Sequence, residues 1–349
     1  MVAVAGEHVA PARSVHPREK EIVVQGEAFW VAEPGRGELR TAEVPEPGPG
    51  EVLVRTLHSG VSRGTETLVF RGGVPASQHD VMRAPFQEGD FPGPVKYGYL
   101  NVGVVERGPA HLTGRTVFCL YPHQTRYVVP ADAVTVVPDD VPAARAVLAG
   151  TVETGLNALW DAAPLIGDKI SVVGAGMVGA SVAAILSRFP GARVQLVDAD
   201  PGRAGLAAAL GVEFALPADA TGDCDLVIHA SATSAGLTRS LELLATEGTV
   251  VELSWYGDRE VSVPLGEFFH SRRLVVKSSQ VGGIAPARRG RRTYADRLAT
   301  ALGLLADPAF DALLTGESAF AELPAIMPKL TSGELPALCH LITYGKDGE

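Results

Sequence analysis

Cysteine is the scarcest signal in this chain. Three residues, Cys119, Cys224 and Cys339, lie more than a hundred positions apart and form no CxxC pair, which argues against a disulfide framework and against a cysteine-rich zinc lobe. Long hydrophobic runs are missing too: no stretch of roughly 18 uncharged apolar residues occurs, so no membrane-spanning helix is expected. Positive charge is in deficit, with 30 Lys and Arg against 40 Asp and Glu and a net charge of −10, which speaks against general nucleic-acid or anionic-membrane binding. The first residues, Met1 to Glu21, are polar and punctuated by proline without an apolar segment, so they lack a signal peptide's pattern and are expected to form a loose tail on a cytoplasmic protein.

What is present fits an α/β globule. Hydrophobic residues make up 46% and charged residues 20% of 349, with 39 Gly and 25 Pro, a composition suited to a soluble protein of about two domains. The most informative stretch is Lys169-Ile170-Ser171-Val172-Val173-Gly174-Ala175-Gly176-Met177-Val178-Gly179, followed by an apolar helix pattern and then Gln195-Leu196-Val197-Asp198. Strand, glycine turn, helix, strand and terminal acid stand in the order of a dinucleotide site. Gly174 permits the tight turn, Gly176 lets the backbone approach a pyrophosphate, and Gly179 allows close helix-to-strand packing. The N–H groups of Met177 and Val178 open the helix toward the phosphates. Asp198, 19 residues beyond Gly179, is placed to accept hydrogen bonds from a ribose. A carboxylate there repels a 2′-phosphate, so NAD is favoured, while nearby Arg203 leaves NADP open.

From Glu21 to about Val137 the chain reads as short strands cut by Pro/Gly turns: Ile22–Val24, Glu27–Ala32, Glu51–Thr56, Val102–Val105, Thr116–Leu120 and Arg126–Val129. That spacing indicates a β-rich, barrel-like domain. At Pro142 the character changes to an alanine-rich helical stretch reaching Trp160. Strands at Asp225–His229, Gly248–Leu253 and Leu274–Ser279 then alternate with helices at Ala235–Ala245 and Tyr294–Ala306, which predicts a doubly wound parallel sheet. A short strand, a helix at Ala321–Leu330 and a closing strand at Ala337–Thr343 suggest a return to the first domain. The expected division is a tail over residues 1–21, a β-rich domain over residues 22–145 and 308–349, and a dinucleotide-binding domain over residues 146–307.

These marks together resemble the medium-chain dehydrogenase/reductase superfamily, in which a GroES-like catalytic domain precedes a Rossmann domain. The likeness covers roughly residues 22 to 345. It rests on Ser59-Gly60-Val61-Ser62-Arg63-Gly64-Thr65-Glu66, on Tyr97-Gly98-Tyr99-Leu100-Asn101-Val102-Gly103, on Thr154-Gly155-Leu156-Asn157-Ala158-Leu159 and on the glycine turn. The SRGTE and FRGG phrasing is closest to the zinc-lacking branch typified by bacteriochlorophyllide a dehydrogenase-like proteins, a likeness that concerns relatives and not substrate.

The departures from the zinc alcohol dehydrogenases matter most. By resemblance, the positions of their three catalytic ligands hold Ser62, Tyr99 and Gly150, and the four-cysteine structural lobe is absent. Zinc needs three or four N, S or carboxylate donors, so neither a catalytic nor a structural zinc is expected. Oxidising an alcohol with NAD still requires release of the hydroxyl proton, a task zinc would otherwise ease, so a side chain must act as general acid and base. The candidates are His123, Tyr99, Glu153, Glu66 and Lys96, of which His123 suits neutral pH best. Each has a plainer alternative as a packed or solvated residue. Ser62, Tyr121 and Trp255 are expected to line the substrate pocket. Thr154, Ser231 and Ser254 are expected beside the nicotinamide half.

The expected protein is therefore a zinc-independent NAD(H)-dependent alcohol dehydrogenase or ketone reductase acting on a small secondary alcohol or ketone. The alternatives are an NADPH-dependent enone or quinone reductase and a non-catalytic cofactor-binding homologue. The basic run Arg288-Arg289-Gly290-Arg291-Arg292, with Arg272 and Arg273, leaves an anionic substrate open, against a plainer role as a solvated charge cluster. Pairing through the Leu274–Ser279 edge, as family members often do, implies a homodimer.

Overall fold

The computed structural model describes residues 22–345, so the expected tail over residues 1–21 lies outside the described residues. In the first domain the strand Ile22–Glu33 turns at Pro34-Gly35, where Gly35 takes φ +81°, and pairs antiparallel with Arg36–Pro45. The second of these strands is not apparent in the sequence. Its residues are mostly polar and only Val44 is buried, because it is the edge of a sheet ordered Arg36–Pro45, Ile22–Glu33, Val95–Lys96, Glu88–Gly89.

The larger sheet is organised on Glu51–Ser62. Arg126–Pro130, Asn101–Arg107 and Cys339–Thr343 all pair with it, Thr116–Cys119 and Val134–Val136 extend it on one side, and Leu314–Ala319 closes the other. Cys339 lies opposite Ser62 and Thr343 opposite His58, which makes Cys339–Thr343 a neighbour of Glu51–Ser62 in this sheet. The turn after Arg107 is short and Thr116–Cys119 pairs directly with Asn101–Val104.

The second sheet has six parallel strands in the order Glu213–Ala215, Arg193–Val197, Lys169–Val173, Cys224–His229, Leu244–Glu252, Val275–Ser278. This is the doubly wound order with its switch point between Lys169–Val173 and Cys224–His229. Ile170, Val172 and Ile228 are fully buried, as a strand covered on both faces requires. Helix Met177–Leu186 is apolar around most of its circumference because it lies between the sheet and helix Ala149–Ala162. Helix Ala149–Ala162 packs in turn on Tyr294–Leu304, which begins with a capping box between Thr293 and Asp296. Among the described residues no helix is long and apolar enough to cross a membrane.

Candidate active site

The glycine turn has the mechanics its sequence implies. Gly174 takes φ +109°, and a Cβ there would come within 2.7 Å of the Ser231 nitrogen. A Cβ on Gly179 would lie 1.9 Å from the Gly174 oxygen, so helix and turn touch through backbone alone. Gly176 differs: it is exposed and has nothing within 4 Å of where its Cβ would be. It also forms the N-cap of Met177–Leu186 without a side-chain cap, leaving donors of the first turn, at Met177 and Val178, for a ligand. Asp198 is half-buried and accepts from the Ala175 nitrogen at 2.7 Å and the Asp200 nitrogen at 2.9 Å, which aims its carboxylate at the turn. Arg203 is paired with Asp200 at 3.4 Å. Open space over Gly176, an anion-seeking helix end and an acceptor carboxylate together fit a dinucleotide.

In the first domain, helix Thr65–Phe70 places Glu66 in its first turn, buried, and Glu66 Oε1 accepts from the Ser62 nitrogen at 2.7 Å. The loop after Thr116–Cys119 delivers His123, which is 1% exposed. His123 Nε2 lies 2.8 Å from Glu66 Oε2, and His123 Nδ1 lies 2.7 Å from Ser59 Oγ, which is itself 2.8 Å from the Tyr344 hydroxyl. With a Glu66 carboxylate and a neutral imidazole the donors run one way: Tyr344 to Ser59, Ser59 to Nδ1, and Nε2–H to Glu66. Burial holds the Tyr344 phenol protonated far above its ordinary range.

Tyr99 sits where the two hydrophobic cores meet, half-buried and packed against both. Its ring meets Tyr97 edge-on with centroids 6.0 Å apart, and its hydroxyl hydrogen-bonds with Ser62 and Thr65. Burial and the nearby negative charge of Glu66 push its pKa up to about 12, against the opposing pull of those two hydrogen bonds. Ser62 is buried beside it. A Cβ on Gly150 would come within 2.7 Å of Leu100 Cδ2, so that position is filled by packing. Among the described residues no group of three or more His, Cys, Asp or Glu side chains is arranged to hold a metal ion.

Other candidates stand apart from this cluster. Lys96, 3% exposed, pairs with Glu88, donates to Gln124 Oε1 at 2.7 Å and contacts the Tyr121 hydroxyl at 3.4 Å. Burial lowers the Lys96 pKa while Glu88 opposes the shift. Tyr121 is committed to a stack on Tyr127 with centroids 3.8 Å apart. Glu153, one of the acid and base candidates, is held by the buried Arg297 at 2.9 Å. Arg297 also donates to Asn157 Oδ1 at 2.6 Å and to the carbonyls of Val281 and Gly283, so this carboxylate fastens a loop to its helix. Thr154 donates to the Gly150 carbonyl of its own helix at 3.0 Å. Arg288, Arg289, Arg291 and Arg292 are exposed, with Arg288 lying over the Trp160 ring at 5.7 Å. Arg272 lies over Phe268 at 4.7 Å, and Arg273 pairs with Glu247 at 3.0 Å.

A second polar cluster, built on His229 and Glu252, went unnoticed in the sequence. His229 is fully buried, its Nδ1 2.7 Å from Glu252 Oε2 and its Nε2 2.7 Å from Ser231 Oγ. Tyr256 donates to Glu252 Oε2 at 2.9 Å, the Ser254 nitrogen donates to Oε1 at 2.7 Å, and Ser254 Oγ accepts from the Ala232 nitrogen at 3.0 Å. Burial would raise the Glu252 carboxyl, but hydrogen bonds from His229 and Ser254 outweigh it and hold it below the usual range. Trp255 in the same loop is half-buried and packs against the first domain's core. The only sequence signal was the pair of turns that follow these two strands.

A β-rich first domain closed by the strands Leu314–Ala319 and Cys339–Thr343, joined to a six-stranded dinucleotide-type sheet, gives the chain the fold of solved alcohol dehydrogenases. Its similarity to known proteins agrees with that fold. The chain is 37% identical over 75 residues to 2-desacetyl-2-hydroxyethyl bacteriochlorophyllide A dehydrogenase of Cereibacter sphaeroides, covering 20% of this chain and 19% of that protein. It is 27% identical over 234 residues to L-threonine 3-dehydrogenase of Deinococcus radiodurans, covering 55% of this chain and 59% of that one. In each case it spans less than two thirds of the relative's length. Its structure resembles an Escherichia coli protein described as a short chain alcohol dehydrogenase and solved with NADH, at a TM-score of 0.72 and 16% identity over 91% of this chain and 99% of that one. No family model matches the sequence.

Proposed function

We propose that the protein is a zinc-independent, NAD(H)-dependent dehydrogenase that interconverts a secondary alcohol and a ketone, with Tyr99 as its proton donor and acceptor. A bound nicotinamide supplies the hydride or accepts it; the chain's own residues must bind the dinucleotide and manage the proton. The glycine turn and the first turn of Met177–Leu186 take the pyrophosphate, and Asp198 takes the ribose hydroxyls. Asp198 also disfavours a 2′-phosphate, and Arg203 is engaged by Asp200, so NAD is preferred to NADP.

The observation that carries this reading is Tyr99 itself. It occupies one vacated ligand position at the junction of the two cores, and with its pKa at about 12 it holds a proton at neutral pH. A carbonyl oxygen gaining negative charge as it accepts a hydride needs such a donor. The Glu66 carboxylate behind it adds to burial in raising the phenol's pKa, so Tyr99 keeps its proton until substrate arrives. The other two metal positions hold Ser62, a single neutral hydroxyl, and Gly150, whose space Leu100 takes. This donor set does not fit zinc. Support for a secondary alcohol comes from L-threonine 3-dehydrogenase among the relatives.

The test is turnover of secondary alcohols, ketones and enones with NAD(H) and NADP(H), before and after treatment with a strong chelator. The expected result is NADH-dependent ketone reduction unaffected by chelation, in protein that carries no stoichiometric zinc. Preference for NADPH with enone substrates would replace this reading with that of an enone reductase. Activity lost on chelation and restored by zinc would remove the metal-free chemistry. Cofactor binding with no turnover of any substrate would mark a non-catalytic homologue.

A further inference from the structure

The His229 cluster lies outside the proton chemistry above, yet it stands at the mouth of the second sheet. Val173, His229 and Glu252 are neighbours in register across three parallel strands, at their C-terminal ends. The residue after Val173 is Gly174, whose missing Cβ makes room for Ser231. Ser231 therefore touches the glycine turn while hydrogen-bonded to a fully buried histidine. Ligands of open α/β sheets bind beyond these strand ends, at the switch point.

The polarity of the cluster is fixed by its deepest member. Glu252 accepts from Tyr256 and from the Ser254 nitrogen, and as a carboxylate it can only accept from His229, so the neutral imidazole of His229 has its N–H at Nδ1. Its Nε2 is then an acceptor, and the Ser231 hydroxyl must donate inward to it. Thr233 Oγ1, 3.0 Å from Ser231 Oγ, accepts from the Gly236 nitrogen and can supply its own hydroxyl proton to Ser231. Ser231 is thereby left with acceptor capacity alone toward the crevice, and it is half-exposed there.

We propose that His229, oriented by Glu252, is a positioning residue that makes the Ser231 hydroxyl an acceptor for a donor group on the nicotinamide-ribose half of the dinucleotide. The ligand groups of matching chemistry are a ribose hydroxyl and the carboxamide N–H₂. This assignment rests on the dinucleotide reading and adds to it a contact that the adenosine half does not make. A serine free to rotate would present a donor as readily as an acceptor; the hydrogen bonds to His229 and Thr233 remove that freedom.

The experiment compares binding of NAD and of AMP, by calorimetry, to the full chain and to Ser231→Ala, His229→Gln and Glu252→Gln. Ser231→Ala is expected to weaken NAD binding about ten-fold, the worth of one hydrogen bond at the upper end of its usual range, and to leave AMP binding unchanged. His229→Gln and Glu252→Gln are expected to shift NAD affinity in the same direction through Ser231. In the Ser231→Ala background neither should add a further loss, which a general loosening of the sheet would produce. Ser231→Thr, which keeps the hydroxyl, is expected to restore most of the affinity. Ser231→Ala, at a half-exposed position, keeps the test decisive if the buried variants fail to fold. An equal loss for NAD and AMP, or no loss for either, overturns the proposal while the dinucleotide site stands. A wild-type protein that binds neither ligand overturns both.

Discussion

Two tyrosines on one buried network are set to different tasks by their surroundings. Tyr344 lies at the far end of the Ser59–His123–Glu66 chain and is engaged by Ser59, whereas Tyr99 packs against both cores where they meet. Tyr99→Phe keeps the ring's packing and removes only the hydroxyl. It should lower turnover by about 10²–10⁴-fold, the usual worth of positioned acid–base catalysis, and leave the dissociation constant for NADH unchanged. His123→Asn should lower turnover less, because both ring nitrogens are occupied by Glu66 and Ser59 and the histidine acts through its neighbours. A Tyr99→Phe variant with full turnover would shift the proton's route to another group. Much of this residue-level picture was visible in the sequence as a set of candidates, since Tyr99 and Glu66 fall beside motif positions. Their partnerships were not. Glu66 and His123 are 57 residues apart and His229 and Glu252 are 23 apart, and only strand pairing and loop packing bring them together.

At the scale of elements, the glycine turn separates ligand binding from folding. A Cβ on Gly176 would meet no protein atom within 4 Å, and its φ of −75° is open to any residue, so Gly176→Ala should leave the melting temperature where it is. The same methyl would stand in the space assigned to the pyrophosphate, and NADH binding should fall by at least an order of magnitude. Gly179→Ala reverses the pattern: its Cβ would lie 1.9 Å from the Gly174 oxygen, so the helix must move off its strand and thermal stability must drop. Calorimetric melting with NADH titration of both variants distinguishes these outcomes. Loss of stability in Gly176→Ala would show the open space to be needed by the protein itself. This unit was fully legible because its signals are local, with five consecutive strand residues, three glycines at fixed spacing and an acid at the next strand's end. The strand Arg36–Pro45 was not legible for the opposite reason. It is an edge strand paired along its length with one neighbour and only partly buried, so its residues carry no clear apolar alternation. The partner of Glu153 was not legible for a third reason: the helix pattern shows the carboxylate but not the arginine 144 residues later that pairs with it.

At the scale of the whole molecule, one exposed edge and one pair of pH limits follow from the architecture. Val275–Ser278 is the outermost strand of the parallel sheet, with Val275 46% and Val276 43% exposed and a row of unpaired backbone groups beside them. We propose that two copies pair along this edge; light scattering should then show a dimer that Val276→Lys converts to a monomer. The pH limits come from groups buried in their neutral forms. Burial lowers the pKa of His58, and that of His340, with Glu317 opposing in both cases. The unfolded chain therefore binds protons at these sites that the folded chain refuses, so stability is full above the ordinary histidine pKa of about 6.5 and falls as pH drops through the lower folded values. Six of the seven tyrosines, Tyr97, Tyr99, Tyr121, Tyr127, Tyr256 and Tyr344, have raised values, with burial the largest cause in each. The sign is opposite for them: the unfolded chain loses these protons near a pH of about 10 while the folded chain keeps them, so stability falls as pH rises beyond that point. Denaturant midpoints measured across pH should trace a plateau bounded by these two limits. The His340→Gln variant should move the acid limb toward lower pH without touching the alkaline one. An acid limb that stays in place in that variant would assign the acid sensitivity to other groups.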